Sequence, residues 1–157
     1  KNLIDKIRSL MPEATIRTSL IAGFPGESEE DFEKLYEFVK NTKFSRLGVF
    51  PYSREEGTAA DRLSGHLPEE VKKDRADRIM KLQMEISKEF CKGFIGREVE
   101  VLVEGCIGDT CFGRSRGDAP EIDGKVIFSG GGDHLIGNFA TVLIEGSDHY
   151  DLKGRLV

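Results

Sequence analysis

The hydrophobic pattern changes its period once along the chain, near Gly96. Before that point apolar residues recur every three or four positions or form short runs, and after it they alternate with polar ones. Leu3, Ile4, Ile7 and Leu10 stand at helical spacing until Pro12, which predicts a helix with one buried face. Residues 15–24 are β-prone and apolar at the centre, as in a strand covered on both sides. Ser28 then offers an N-cap, and Glu29, Glu30 and Asp31 suit the positive end of a helix dipole. Phe32, Leu35 and Val39 carry that helix to about Asn41, and a second strand is expected over 46–52. Pro68 suits the first turn of a long helix with one stripe of Ile79, Leu82, Ile86 and Phe90, ended by Gly93 and Gly96.

Beyond Gly96, Val99, Val101 and Val103 fall on one face and Glu98, Glu100 and Glu104 break the run, the pattern of an antiparallel strand with a buried and a wet side. Further strands are expected at 111–116, 125–129, 139–145 and 152–157. Five short strands in so few residues suggest a small OB-like barrel. The division expected is 1–66 for an α/β part, 67–95 for a linking helix and 96–157 for the barrel. Helix, strand, helix, strand is the rhythm of a parallel α/β sheet or barrel.

Ligands of such folds gather at the carboxyl ends of the strands. Gly23, Phe24, Pro25, Gly26 and Glu27 occupy one such end, and Pro51 to Gly57 the other. The two glycines let backbone approach a ligand and leave amides pointing outward at a capped helix start. A tight strand-to-helix turn explains the same residues equally well.

Composition sharpens this in three ways. The 157 residues, 38% apolar and 32% charged, suffice for one ordinary domain or two small ones. No apolar run is long enough for a membrane span and no signal peptide is visible, so a soluble, cytoplasmic protein is expected. The chain opens on Lys1 inside an amphipathic pattern, as expected of a piece of a longer protein. Cys91, Cys106 and Cys111 are odd in number and lack C-x-x-C spacing, which predicts reduced structural thiols. His66, His134 and His149 show no metal-ligand spacing, and no residue is assigned a catalytic or metal-binding role.

Charge is divided unevenly. Residues 96–157 hold six Lys and Arg against eleven Asp and Glu, a net of -5, while residues 1–95 balance at seventeen of each. The run Arg114 to Gly124, R-S-R-G-D-A-P-E-I-D-G, sets Arg114 and Arg116 at alternate positions, followed by Asp118, Glu121 and Asp123 around the rigid Pro120. It can act as a charged arm for a complementary partner, or as a solvated loop whose charges pair with one another. A phosphate-binding surface would instead show a basic patch. Phe112, Phe128 and Tyr150 fit a strand core better than stacking platforms.

Two stretches carry a family resemblance. T-S-L-I-A-G-F-P-G-E-S-E-E-D-F at 18–32 and V-F-P-Y-S-R-E-E-G-T-A-A at 49–60 resemble the last third of a radical S-adenosylmethionine barrel, and the tail resembles a TRAM domain. Together they resemble the methylthiotransferases over essentially the whole chain. Glu55-Glu56-Gly57-Thr58 and the D-A-P-E-I-D-G run resemble the branch that modifies the β-carbon of an aspartate in a basic ribosomal protein of the small-subunit decoding centre. The tRNA-modifying branch is the alternative. Ala59 stands where the family usually has proline, and Gly117 where alanine is common.

The resemblance implies a partial radical S-adenosylmethionine barrel followed by a five-stranded TRAM barrel. It also implies S-adenosylmethionine and two four-iron clusters in the whole enzyme, with both cluster cysteine sets outside this chain, which should be inactive alone. Gly23 to Glu27 and Phe50, Pro51 and Tyr52 would line the cofactor end, and Arg114, Arg116, Asp118, Glu121 and Asp123 would meet the partner protein, with RNA the poorer match for so acidic a barrel.

Overall fold

The computed structural model describes residues 2–157 and divides into two units, 1–86 and 87–157. In the first unit, α1 (Asn2–Leu10), β1 (Arg17–Ala22), α2 (Glu29–Thr42) and β2 (Arg46–Pro51) are followed by the first part of α3 (Glu69–Lys92). The two strands pair in parallel from Arg17 opposite Arg46 to Ala22 opposite Pro51. Their covered face meets α2 and α3 in a core of Ala22, Phe32, Val39, Val49, Ile79 and Ile86.

Three expectations change here. Strand β1 alternates instead of being covered on both sides: Ile21 and its partner Phe50 are 57% and 59% exposed, because the core helices lie on one face only. In α1, Ile4 and Ile7 are part-buried but Leu3 and Leu10 stay exposed, so the apolar stripe is wider than the surface it covers. The stripe of α3 also extends backward through the buried Lys72 and Arg75.

Helix α2 begins as its sequence dictates. The Ser28 hydroxyl accepts from the Asp31 amide (3.1 Å) and the Asp31 carboxylate accepts from the Ser28 amide (3.2 Å), a reciprocal capping box. The Ser28 hydroxyl, then its amide, hold the Asp31 carboxyl below the ordinary aspartate range. A depressed carboxyl contributes stability above its unfolded pKa and loses it as pH falls through the folded one. Ser28→Ala is therefore expected to cost about 1 kcal/mol at pH 7. The cost should shrink as pH falls through the lowered Asp31 pKa, below which the carboxyl is protonated with or without its cap. Urea melts at pH 7 and in strong acid check this.

The second unit is a closed barrel in the order β3 (Glu98–Ile107), β4 (Thr110–Ser115), β5 (Val126–Ser129), β7 (Leu152–Leu156), β6 (Phe139–Ser147), with β6 returning to β3. All pairs are antiparallel except β5 with β7. Val101, Val103, Val126, Phe128, Val142 and Ile144 fill the interior. Bulges after Val103 and Ile144 bend the two long strands, which lets so few strands close. The two-residue turn Gly108-Asp109 joins β3 to β4, with Gly108 at φ 64 as the twist of a tight hairpin requires.

That hairpin overturns one cysteine expectation. Cys106 and Cys111 stand opposite each other and are joined in a disulfide, while Cys91 is a buried thiol outside it, donating to the Tyr150 carbonyl. Register decides the pairing here: residues flanking a two-residue turn face each other across the strands, whatever the total cysteine count. Among the described residues no helix is long and apolar enough to cross a membrane.

Candidate functional site

The turns after β1 and β2 lie at the carboxyl ends of the parallel strands. Gly23 and Gly26 hold φ 79 and 85, the left-handed region that glycine enters without strain. Glu27 folds back over its own turn, and its Oε1 accepts from the Gly23 amide at 3.0 Å. The same oxygen receives Arg75 Nη1 at 2.7 Å, and that nitrogen also donates to the Glu27 carbonyl at 3.0 Å. Arg75 Nη2 reaches Glu29 at 2.9 Å, and Arg75, then Arg78, hold the Glu29 carboxyl below its ordinary range.

One helical turn earlier, Lys72 donates to the Tyr52 carbonyl at 3.0 Å and pairs with Glu69. A Cβ built on Gly23 would overlap Lys72 Cγ, so the lysine stem occupies the place of a side chain there. Lys72 and Arg75 are only 2% and 4% exposed. Sequence reasoning missed both. The signal was available: 72, 75, 79, 82 and 86 keep the three-four spacing of the apolar stripe, so both cations fall on the covered face.

The amides of the glycine turn do not point outward as a free cradle. Gly23 donates to Glu27, Gly26 to the Gly65 carbonyl (2.9 Å) and Glu27 to the Phe24 carbonyl (2.9 Å). What this end presents is the exposed Phe24 and Phe50 rings; the Tyr52 hydroxyl beneath is buried without a hydrogen-bond partner. Phe24 stands edge-on to Tyr52 at 5.3 Å, and His66 lies 6.1 Å from the same ring. Pro25 is buried and Pro51 exposed.

Residues 53–66 are braced by Asp61. It accepts from Arg54 (2.6 Å) and from the Gly57 amide (3.2 Å), and these bonds, Arg54 first, keep its carboxyl below the ordinary range.

On the barrel the loop 115–124 holds itself together. The Asp118 carboxylate accepts from the Ser115 hydroxyl (2.6 Å) and amide (3.2 Å), and the Asp123 carboxylate from the Ala119 amide (2.6 Å). Arg114 pairs with Glu104 across the hairpin. Of the five sequence-selected residues here, Arg116 and Glu121 stand exposed, with Ile122 76% exposed beside Glu121 at φ 62. Phe128 is core, whereas Phe112 lies part-exposed over Gly105 with Lys125 above its ring at 4.6 Å.

The barrel's other cations are similarly engaged. Lys153 pairs with Asp148 and Arg155 with Glu145, which leaves Arg97, Arg116 and Lys125 without an ion pair among the described residues. Glu98 and Glu100 remain exposed and unpaired on β3. No group of three or more His, Cys, Asp or Glu among the described residues could hold a metal ion. With Cys106 and Cys111 joined and Cys91 buried, the cysteines do not fit an iron–sulfur cluster.

Residues 95–157, which hold this closed five-stranded unit, match the model of the TRAM domain family. Over nearly its whole length the chain is also similar to proteins named ribosomal protein uS12 methylthiotransferase RimO. Identity is 51% to that of Pelotomaculum thermopropionicum (99% of this chain, 36% of the relative) and 48% to that of Clostridioides difficile (99% and 35%). It is 45% to that of Desulforudis audaxviator (100% and 35%). The chain spans about a third of the length of these proteins.

Proposed function

We propose that the chain is the part of a radical S-adenosylmethionine methylthiotransferase that ends the catalytic barrel (1–66), links it (67–95) and presents a TRAM barrel (96–157) to the substrate protein. The substrate on this reading is ribosomal protein uS12, named for the relatives, with the β-carbon of an aspartate as the atom modified. The setting is the cytoplasm, and this segment alone is inactive. In the whole enzyme S-adenosylmethionine and two four-iron clusters supply the radical and sulfur chemistry. This chain's own residues fit the cofactor in two respects: aromatic rings at the carboxyl ends of β1 and β2, and an orphaned Tyr52 hydroxyl beside them. Gly23 to Glu27 with Phe50, Pro51 and Tyr52 would border it.

The observation that carries the choice of partner is the state of the barrel's charges. Residues 96–157 hold eleven Asp and Glu against six Lys and Arg; Arg114, Lys153 and Arg155 pair with carboxylates, Arg97, Arg116 and Lys125 do not, and Glu98 and Glu100 stand exposed without an ion pair on β3. Phosphates need uncommitted cations, whereas a basic protein needs uncommitted carboxylates. Arg116 and Glu121 would contact that protein from the neighbouring loop, which Asp118 and Asp123 shape and Arg114 adjoins.

The test titrates the chain with purified uS12 and, separately, with a tRNA stem-loop across a range of salt. Binding to uS12 is expected, weakened by about tenfold or more when Glu98 and Glu100 are both changed to lysine. Stronger binding to the stem-loop, with affinity falling steeply as salt rises, would favour the tRNA-modifying reading instead.

A further inference from the structure

We propose that Lys72 and Arg75 are positioning residues for the two turns at the carboxyl ends of β1 and β2. This rests on reading that end as the place where S-adenosylmethionine sits.

Hydrogen bonds run in a circuit that begins and ends on one face of α3. Arg75 holds Glu27, and Glu27 Oε1 holds the Gly23 amide. The neighbouring Ala22 carbonyl accepts from the Tyr52 amide at 2.8 Å, and the Tyr52 carbonyl accepts from Lys72. Lys72 and Arg75 are three positions apart, so one helical turn fixes both strand ends at once. The lysine stem packed where a Gly23 side chain would stand sets how near the first turn comes to the helix. Neither turn can shift without breaking a bond to a buried cation.

Stability alone does not call for this arrangement. Burying two cations is costly, and well-packed apolar residues of similar volume commonly serve as well or better. At 72 and 75 such residues would simply extend the stripe that already holds Ile79 and Ile86. What they could not supply is a directed bond to the Tyr52 carbonyl or to the Glu27 carbonyl and carboxylate. Those bonds set the orientation of Phe24 and Tyr52, the two aromatic groups that pack edge-on at this end.

The discriminating variant is apolar at both partners, Glu27→Leu with Arg75→Leu. The 157-residue chain carrying it is expected to fold and melt cooperatively, a few degrees lower for the lost Arg75–Phe32 contact. The amides of Gly26 and Tyr52, whose acceptors are untouched by the change, are expected to exchange with deuterium about tenfold faster or more. In the complete enzyme with both clusters, the Kd for S-adenosylmethionine should rise by about tenfold or more. Lys72→Met should speed exchange at Tyr52, and Lys72→Arg, which can still donate to the Tyr52 carbonyl, should restore it.

Unchanged exchange at Gly26 and Tyr52 in a folded double variant would overturn the proposal. So would a double variant that no longer folds, because the pair would then serve stability instead of placement. Failure of the complete enzyme with its native residues to bind S-adenosylmethionine would instead remove the cofactor reading, while the exchange data still decide the positioning role.

Discussion

Gly113→Ala is expected to destabilise the barrel by ~3 kcal/mol, at the upper end of what overpacking costs. A Cβ at this position would overlap the Leu102 carbonyl of the paired strand and stand 2.9 Å from Val101 Cγ1. Nothing there can rotate away, because the obstacle is backbone in a strand bonded on both sides, to β4 and to β6. Gly154 meets the Leu143 carbonyl in the same manner on the opposite side of the barrel. Gly146→Ala is the control, since its added methyl meets nothing within 4 Å and its φ is not in the left-handed region. It should fall within about 0.5 kcal/mol of the parent. Urea unfolding of the three chains, followed by circular dichroism, measures the difference, and equal midpoints for the Gly113 and Gly146 variants would refute the packing argument.

In the first unit the largest loss is expected from Phe32→Ala, ~3–5 kcal/mol. The ring is fully buried between the helices and the strand pair, in the cluster with Ala22, Val39, Val49 and Ile79. Its removal leaves a cavity in a layer only two helices thick. It also strips a surface from two guanidinium groups, Arg75 at 5.3 Å and Arg78 at 4.4 Å from the ring centre, an attraction of about 0.5–2 kcal/mol each depending on solvation. Phe32→Leu separates the two contributions, because it retains most of the volume and lacks the ring's negative face. A loss of about 1–2 kcal/mol is expected for leucine, and a leucine variant as unstable as the alanine one would show that the cations, not the packing, dominate. Thermal melts of both variants at low and high salt make the comparison.

What the sequence disclosed, and what it withheld, follows from how local each feature is. The capping box needs only Ser28 and Asp31, three positions apart, and the change of period at Gly96 needs only the alternation of Val99, Val101 and Val103, so both could be read directly. The Cys106–Cys111 pair depends on a turn of exactly two residues, which a list of cysteines does not convey. Asp118 and Asp123 looked like groups for a partner because their type and spacing suit one, but each closes a bond to an amide or hydroxyl a few residues away. Lys72 and Arg75 were obscured by charge itself. A cation on an apolar stripe reads as an exposed interruption until its acceptors, 20 and 48 residues back along the chain, are in place.

The parallel pairing of β5 with β7 has a consequence for how the barrel comes into being. Two strands running the same way cannot be joined by a hairpin, and here β6 lies between them in sequence and on the far side of β7 in space. The β3–β4–β5 meander can therefore assemble early from local contacts, but β5 keeps an unsatisfied edge until β7 arrives, already joined to β6. Closure is a late event gated by long-range search, and the exposed edge of β5 is the place where a nascent or partly unfolded chain is most open to pairing with a stranger.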